Sequence, residues 1–258
     1  MKLTVLGSGT SVPHPTRTSS GFWLETSSGT ILLDCSPTAA RRMAEENLPW
    51  HKLDAIWISH FHIDHCGGLM SFLSGTKHAE ETKSRTKPLT IFGPVGLRSL
   101  IERMNAVNNY KLTEQPFPVE IIEVESLEKF EILPSIEAVA AKTPHTDESL
   151  AIHIRDDETT LVFSADTGLA ISISAFANGV DLFILECSFF ENKPIEKHLE
   201  LAEAIHLIRR AKPKRAMLTH FYPEWDDVDF ETEVKRLEPL CEVIEAKDGL
   251  RLEVKTEN

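Results

Sequence analysis

Apolar and polar positions alternate in short blocks along this chain, and the blocks read as strands and helices taking turns. Strands are predicted at residues 2–6, 22–25 and 30–34, the last two joined by a hairpin turn at Ser27-Ser28-Gly29. A helical stretch from Pro37 to about Asn47 leads to a strand at 53–59 and a helix at 67–73. The polar tract 75–87 (GTKHAEETKSRTK) reads as an exposed loop. Further strands are expected at 89–92, 119–124, 136–141, 181–186, 215–219 and 250–254, and a hairpin at 150–155 and 160–164 turns around Asp156-Asp157-Glu158. Helices are expected at 96–107 and near 169–177, 199–211 and 230–240. Each half thus supplies strands and then covering helices, which predicts two sheets packed together with helices outside. No composition break divides the chain, so residues 1–258 read as one domain.

Composition narrows this picture. A chain of 258 residues that is 41% hydrophobic can bury a substantial core. Its four cysteines are widely spaced, and MKLTVLGSG enters a strand directly, without a signal peptide, so a reduced cytoplasmic protein is expected. No apolar stretch approaches the roughly 20 residues of a membrane helix. The net charge of -13 argues against a broad nucleic-acid surface, but it permits small anionic substrates where bound metal inverts the local field.

Candidate chemistry concentrates in Ser59-His60-Phe61-His62-Ile63-Asp64-His65-Cys66-Gly67-Gly68, directly behind the apolar run Leu53-Asp54-Ala55-Ile56-Trp57-Ile58. His60 and His62 stand two apart, so a strand end projects both imidazoles from one face. Imidazole and carboxylate suit zinc, manganese or iron, whereas calcium and magnesium would want more oxygen. Three more apolar segments end in a ligand type: residues 138–141 before His145, 161–163 before Asp166, and 215–219 before His220. Together these are seven ligands, suited to two metal ions sharing one carboxylate.

The set resembles the metallo-β-lactamase-fold hydrolase superfamily over nearly the whole chain, and within it ribonuclease Z and its small phosphodiesterase relatives. The resemblance rests on HxHxDH at 60–65, on Leu6-Gly7-Ser8-Gly9-Thr10-Ser11-Val12-Pro13, on Thr219-His220-Phe221-Tyr222-Pro223, and on Glu186-Cys187-Ser188 with His198 and Glu203-Ala204. It implies an α/β fold, a four-layer αβ/βα sandwich of two mixed sheets with helices on the outer faces. It further implies that His60, His62 and His145 hold one divalent metal and Asp64, His65 and His220 another, with Asp166 bridging. The ions implied are zinc, with manganese or iron as alternatives. Asp64 would also orient the attacking hydroxide, and His198 would act as general acid from outside the metal shell.

Two departures from the ribonuclease Z pattern bear on the substrate. Asp34-Cys35-Ser36-Pro37-Thr38-Ala39-Ala40 stands where tRNA-processing relatives carry Asp-Cys-Gly-Glu-Gly-Thr-Gln. Only residues 146–165, 20 in all, separate His145 from Asp166, which leaves no room for the long arm that grips tRNA. The tract 75–87 offers four cations against two carboxylates, too little to tether a large RNA. The expected partner is therefore a small phosphodiester, with no membrane and no large nucleic acid, and a homodimer is compatible with it. The alternatives are a tRNA 3′-end endonuclease without the arm and a thioester or lactone hydrolase on the same metal site.

Other residues read as structural. His14, His51, His78, His153 and His206 lack a strand-end partner pattern, and Cys66 and Cys187 read as small buried thiols. The loop Gly7–Ser11 reads as a tight turn, with phosphate binding by its amides as the alternative. Phe221, Tyr222 and Trp225 would either stack a base or cover the core.

Overall fold

A computed structural model describes residues 1–157 and 159–255. In chain order the strands are β1 (Lys2–Gly7), β2 (Gly21–Glu25), β3 (Thr30–Leu33), β4 (Ala55–Trp57), β5 (Leu89–Pro94), β6 (Val119–Val124), β7 (Lys129–Leu133), β8 (Ile136–Lys142), β9 (Leu150–Asp156), β10 (Thr159–Phe163), β11 (Leu182–Glu186), β12 (Arg215–Thr219), β13 (Glu242–Glu245) and β14 (Arg251–Glu253). The helices are α1 (Ala39–Glu45), α2 (Ile63–Cys66), α3 (Leu69–His78), α4 (Leu97–Ala106), α5 (Ile171–Phe176), α6 (Leu201–Ala211) and α7 (Phe230–Arg236).

Two seven-stranded sheets result, in the orders β14-β1-β2-β3-β4-β5-β6 and β13-β12-β11-β10-β9-β8-β7. Both are mixed. The first is antiparallel from β14 to β3 and parallel from β3 to β6. The second is antiparallel from β7 to β10 and parallel from there to β13.

Strand alternation sorts side chains into layers. Phe22, Leu24, Ile31, Leu33, Ala55 and Trp57 turn toward the second sheet, in the same cluster as Ile152, Ile154, Leu161 and Phe163. The intervening Trp23, Leu32 and Ile56 pack outward against Met43 of α1, Leu69 and Leu73 of α3 and Ile101 of α4. Aromatic pairs tie the sheets directly: Phe22 meets Phe163 edge-on at 5.4 Å, and Phe130 stacks on Trp57 at 6.0 Å. This is the expected sandwich, with α5, α6 and α7 contributing their buried residues to the core of the second half.

Local departures from the sequence reading have physical causes. Helix α3 runs on to His78 and a short 3-10 turn follows at Glu80–Thr82, so much of the polar tract is structured. Arg85 fastens it, donating to the carbonyls of His51, Leu53, Lys87 and Pro88 and lying 4.5 Å over the Phe117 ring. Strands β7 and β13 were not expected, because β7 is an edge strand with exposed Lys129 and Glu131, and β13 is only partly buried. Helix α6 begins at Leu201, where Glu200 and Glu203 form a capping box. His198 sits in the loop just before this helix. The turn read at Asp156-Asp157-Glu158 includes Glu158, which lies outside the described residues.

Candidate metal centre

The strand ends of both sheets converge on one buried cluster. Behind β4, Ser59 and His60 are fully buried, and the peptide of Ile58 continues sheet pairing by donating to Phe92 O at 2.8 Å. The chain then turns into α2, with His62 as its extended N-cap and the amides of His65 and Cys66 both donating to His62 O. This one-turn helix carries Asp64 and His65 inward and leaves Ile63 exposed. Gly68 is required behind it: a Cβ there would lie 2.0 Å from Ser36 O, and its amide donates to Cys35 O. The close approach seats α2 on the segment that follows β3.

Three residues at strand ends leave in the left-handed region: Asp34 (φ 59), Ala165 (φ 54) and His220 (φ 64). Such backbone costs of order 1–3 kcal/mol per non-glycine residue and persists only where the surroundings fix it. Here they do. Phe221 N donates to Ser8 O at 2.9 Å and Tyr222 N to Ser188 O at 3.1 Å, which pins the chain on the far side of His220. Asp166, next after Ala165, is 2% exposed.

All eight residues singled out from the sequence come together. Asp166 stands at the centre with its two oxygens facing different partners. Oδ1 lies 3.3 Å from His65 Nε2 and 3.4 Å from His220 Nε2; Oδ2 lies 3.5 Å from His145 Nε2 and 3.8 Å from His60 Nε2. His62 joins the second group through Nδ1, 3.0 Å from His145 Nε2. Asp64 joins the first, its Oδ2 being 3.4 Å from His220 Nε2 and 3.6 Å from His65 Nε2. His198 also borders the first group, since ligand atoms of Asp166, His198 and His220 lie within 4.8 Å of one another.

The donor set fits divalent metal. His60 Nε2 is buried and has no hydrogen-bond partner, an orphan that a cation would satisfy. Around Oδ1 of Asp166 the contacts with and between His65, His220 and Asp64 run from 3.3 to 3.6 Å. A tetrahedron with metal–ligand bonds near 2.0–2.1 Å has edges of about 3.3–3.4 Å. Four donors spaced like this, all buried or nearly so, describe a coordination shell better than a hydrogen-bonded core.

A second ring of residues, not assigned from the sequence, orients these ligands. Asp34, fully buried at the end of β3, accepts from His65 Nδ1 at 2.6 Å and from the amide and hydroxyl of Ser59. Ser59 in turn accepts from His60 Nδ1 at 3.0 Å. On the opposite side Glu186 accepts from Ser188 Oγ (2.7 Å), Thr167 N (2.7 Å), Leu199 N (3.2 Å) and His198 Nδ1 (2.9 Å). Ser188 accepts from His220 Nδ1 at 2.9 Å. Each serine thus relays a histidine of the cluster to a buried carboxylate, and each relay favours the tautomer that leaves Nε2 free toward the cluster. A signal was present: Asp34 and Glu186 both terminate apolar strands, as the ligands do.

Electrostatics follow from this packing. Burial raises the Asp166 carboxyl, but the surrounding His220, His65 and His60 outweigh it and hold the group well below the usual range. Burial opposes charge on His65, yet Asp166 and Asp34 raise it well above an ordinary histidine. Burial and the neighbouring His65 keep His60 neutral, with its lone pair free. At His198, burial is overcome by the Glu186 hydrogen bond and charge, and the imidazole is raised. Cys66 is pushed up to about 11 by burial and by Asp34, and Cys187 well above its usual value by burial, so both thiols are inert packing groups.

Two further readings are settled by contacts. The amides of Ser8 and Gly9 donate to Asp248 Oδ1 and Thr18 O, so this loop is a turn and those two donors are spent internally. Phe221 and Trp225 are buried together with Phe230 in the core. Tyr222 alone of the three is half-buried, stacked on Phe189 at 4.7 Å and 6.4 Å from His198.

Comparison with known proteins agrees with this architecture. The family model described as Beta-lactamase superfamily domain matches residues 29–221. The ribonuclease Z of Clostridioides difficile is 28% identical over 276 residues, covering 87% of this chain and 89% of the relative. The crystal structure of the metallo-β-lactamase fold protein YhfI from Bacillus subtilis superposes with a TM-score of 0.80 at 24% identity, covering 97% of this chain and 98% of that one. A diphosphatase of the PhnP family superposes with a TM-score of 0.74 at 21% identity, with 98% of each chain covered.

Proposed function

We propose that this chain, which belongs to the beta-lactamase superfamily, is a dinuclear metal-dependent phosphodiesterase acting on small phosphodiesters. The observation that carries this reading is the split of Asp166, whose Oδ1 faces His65 and His220 while Oδ2 faces His60 and His145. A carboxylate placed this way would bridge two cations. His60, His62 and His145 would hold one ion and Asp64, His65 and His220 the other, with zinc best matched to the donor types and spacing. When bound, such a pair lowers the pKa of water and steadies the oxygens of an in-line displacement.

The chain's own groups supply the rest. Asp64, in the first turn of α2 and beside His65 and His220, orients the attacking water. His198 faces the same cluster with Nδ1 held by Glu186, which leaves Nε2 to deliver a proton to the leaving alkoxide. Its raised affinity for the proton suits an acid rather than a base. Tyr222, raised by burial and by the site carboxylates, stays protonated at the rim.

Among the described residues no long arm projects between His145 and Asp166, which supports a small substrate. Hairpin β9–β10 occupies the interval between His145 and Asp166, its strands paired from Thr159↔Asp156 onward. The cations of the tract 75–87 are engaged within the molecule: Arg85 with carbonyls, Lys87 with Asp54 at 2.7 Å, Lys83 with Glu80 at 2.5 Å and Lys77 with Lys111 O at 3.2 Å. The name of the ribonuclease Z relative favours a second reading, tRNA 3′-end cleavage, on the same catalytic chemistry. Four free cysteines, three of them buried, support a reducing, cytoplasmic setting.

Side-by-side assay of bis(p-nitrophenyl) phosphate, a thioester and a tRNA precursor tests the proposal. Turnover of the phosphodiester with neither of the others is the expected result. Preferential thioester hydrolysis would overturn it, and efficient tRNA cleavage would favour the second reading.

A further inference from the structure

The two halves of the cluster are built unequally. Around Asp64, His65 and His220 every ligand is buried or nearly so, and Asp64 adds an anion to the shared Asp166. His65 is backed by a carboxylate directly, Asp34 at 2.6 Å, and His220 through Ser188 to Glu186. Around His60, His62 and His145 all three residues are histidines, with no carboxylate besides the shared Asp166. His60 has a relay through Ser59 to Asp34 that matches the one behind His220, but His145 gives its Nδ1–H only to a carbonyl, Lys197 O at 3.0 Å. His62 is exposed, and among the described residues none hydrogen-bonds its Nε2.

Both differences act in one direction. An additional carboxylate in the shell strengthens attraction for a dication in a buried setting, where Coulomb interactions are weakly screened. Carboxylate-backed histidines are more basic and are held in the ligating rotamer before metal arrives, and losing such a partner typically costs 10–100-fold in metal affinity. An exposed, unsupported ligand must instead be ordered at the moment of binding.

Resting on the dinuclear reading above, we propose that the two positions load in sequence. The Asp64–His65–His220 position is the tight, resident one, and the His60–His62–His145 position is the weaker, exchangeable one. Hydrolysis that needs both ions is then gated by occupancy of the second position, and so by free metal concentration.

The test is calorimetric titration of the chelator-stripped protein with Zn²⁺, which reads metal uptake without reference to any substrate. Two events are expected, the first at least about tenfold tighter than the second. His62→Ala, at an exposed position that leaves the core intact, keeps the first event and loses the second. Ser188→Ala weakens the first event by about 10–100-fold and leaves the second, and Ser188→Thr restores it. Two events of equal affinity, or loss of the tighter event in His62→Ala, overturns the loading order while the dinuclear reading stands. No uptake, or uptake untouched by His62→Ala, overturns both.

Discussion

Replacing His198 by alanine separates proton donation from metal binding. The residue is 7% exposed, and its hydrogen-bonded carboxylate partner is Glu186. After truncation Glu186 still accepts from Thr167 N, Leu199 N and Ser188 Oγ, so the buried carboxylate keeps three of its four donors. His220 keeps its own bond to Ser188. The fold and both metal positions should therefore survive, and the loss should fall on the chemical step. General acid catalysis is typically worth about 10²–10⁴-fold, which is roughly 2.7–5.5 kcal/mol of barrier. An alkyl phosphodiester, whose alkoxide leaves poorly, should lose this full factor in kcat. A p-nitrophenyl ester, whose phenolate hardly needs a proton, should lose less than about tenfold. Steady-state rates on both esters, with metal content measured on the same samples, check this. Equal losses on the two esters would refute the acid role. Loss of an ion would make His198 a ligand instead, as its proximity to Asp166 and His220 would allow.

Three other outcomes are expected. Purified protein should carry two transition-metal ions per chain by elemental analysis, and chelation should abolish hydrolysis; no more than trace metal after growth with zinc or manganese would contradict this. Asp166→Ala should lose the metal pair while circular dichroism shows the fold retained, because its two oxygens face both ligand groups, and unchanged stoichiometry and activity would count against the bridge. The acid must be protonated, so activity should fall as pH rises through the raised pKa of His198; Glu186→Gln, which removes the raising charge, should move that alkaline limb to lower pH, and an unmoved limb would mean that another group titrates.

Much of the molecule was legible in its residues, because burial imposes a period on each element independently of what it packs against. Phe22-Trp23-Leu24 and Ile31-Leu32-Leu33 are apolar on both faces, and such strands must lie between two covering layers, as they do here. HxHxDH was legible for a similar reason: two-residue spacing at a strand end and the following turn set several ligands side by side whatever the rest of the fold does. Other features have no local signature. Whether Phe221 stacks a base or fills the core depends on Trp225 and Phe230 meeting it, and whether Ser8 can hold an anion depends on Asp248, 240 positions away. Asp34 and Glu186 follow or end strands just as the candidate ligands do, and the pattern along the chain does not distinguish a carboxylate inside the cluster from one that touches the histidine behind it. That distinction is one of a few ångströms. It is decided by sheet register and by the close seating of α2 on residues 35–36, which bring side chains from 25 to 156 positions apart together.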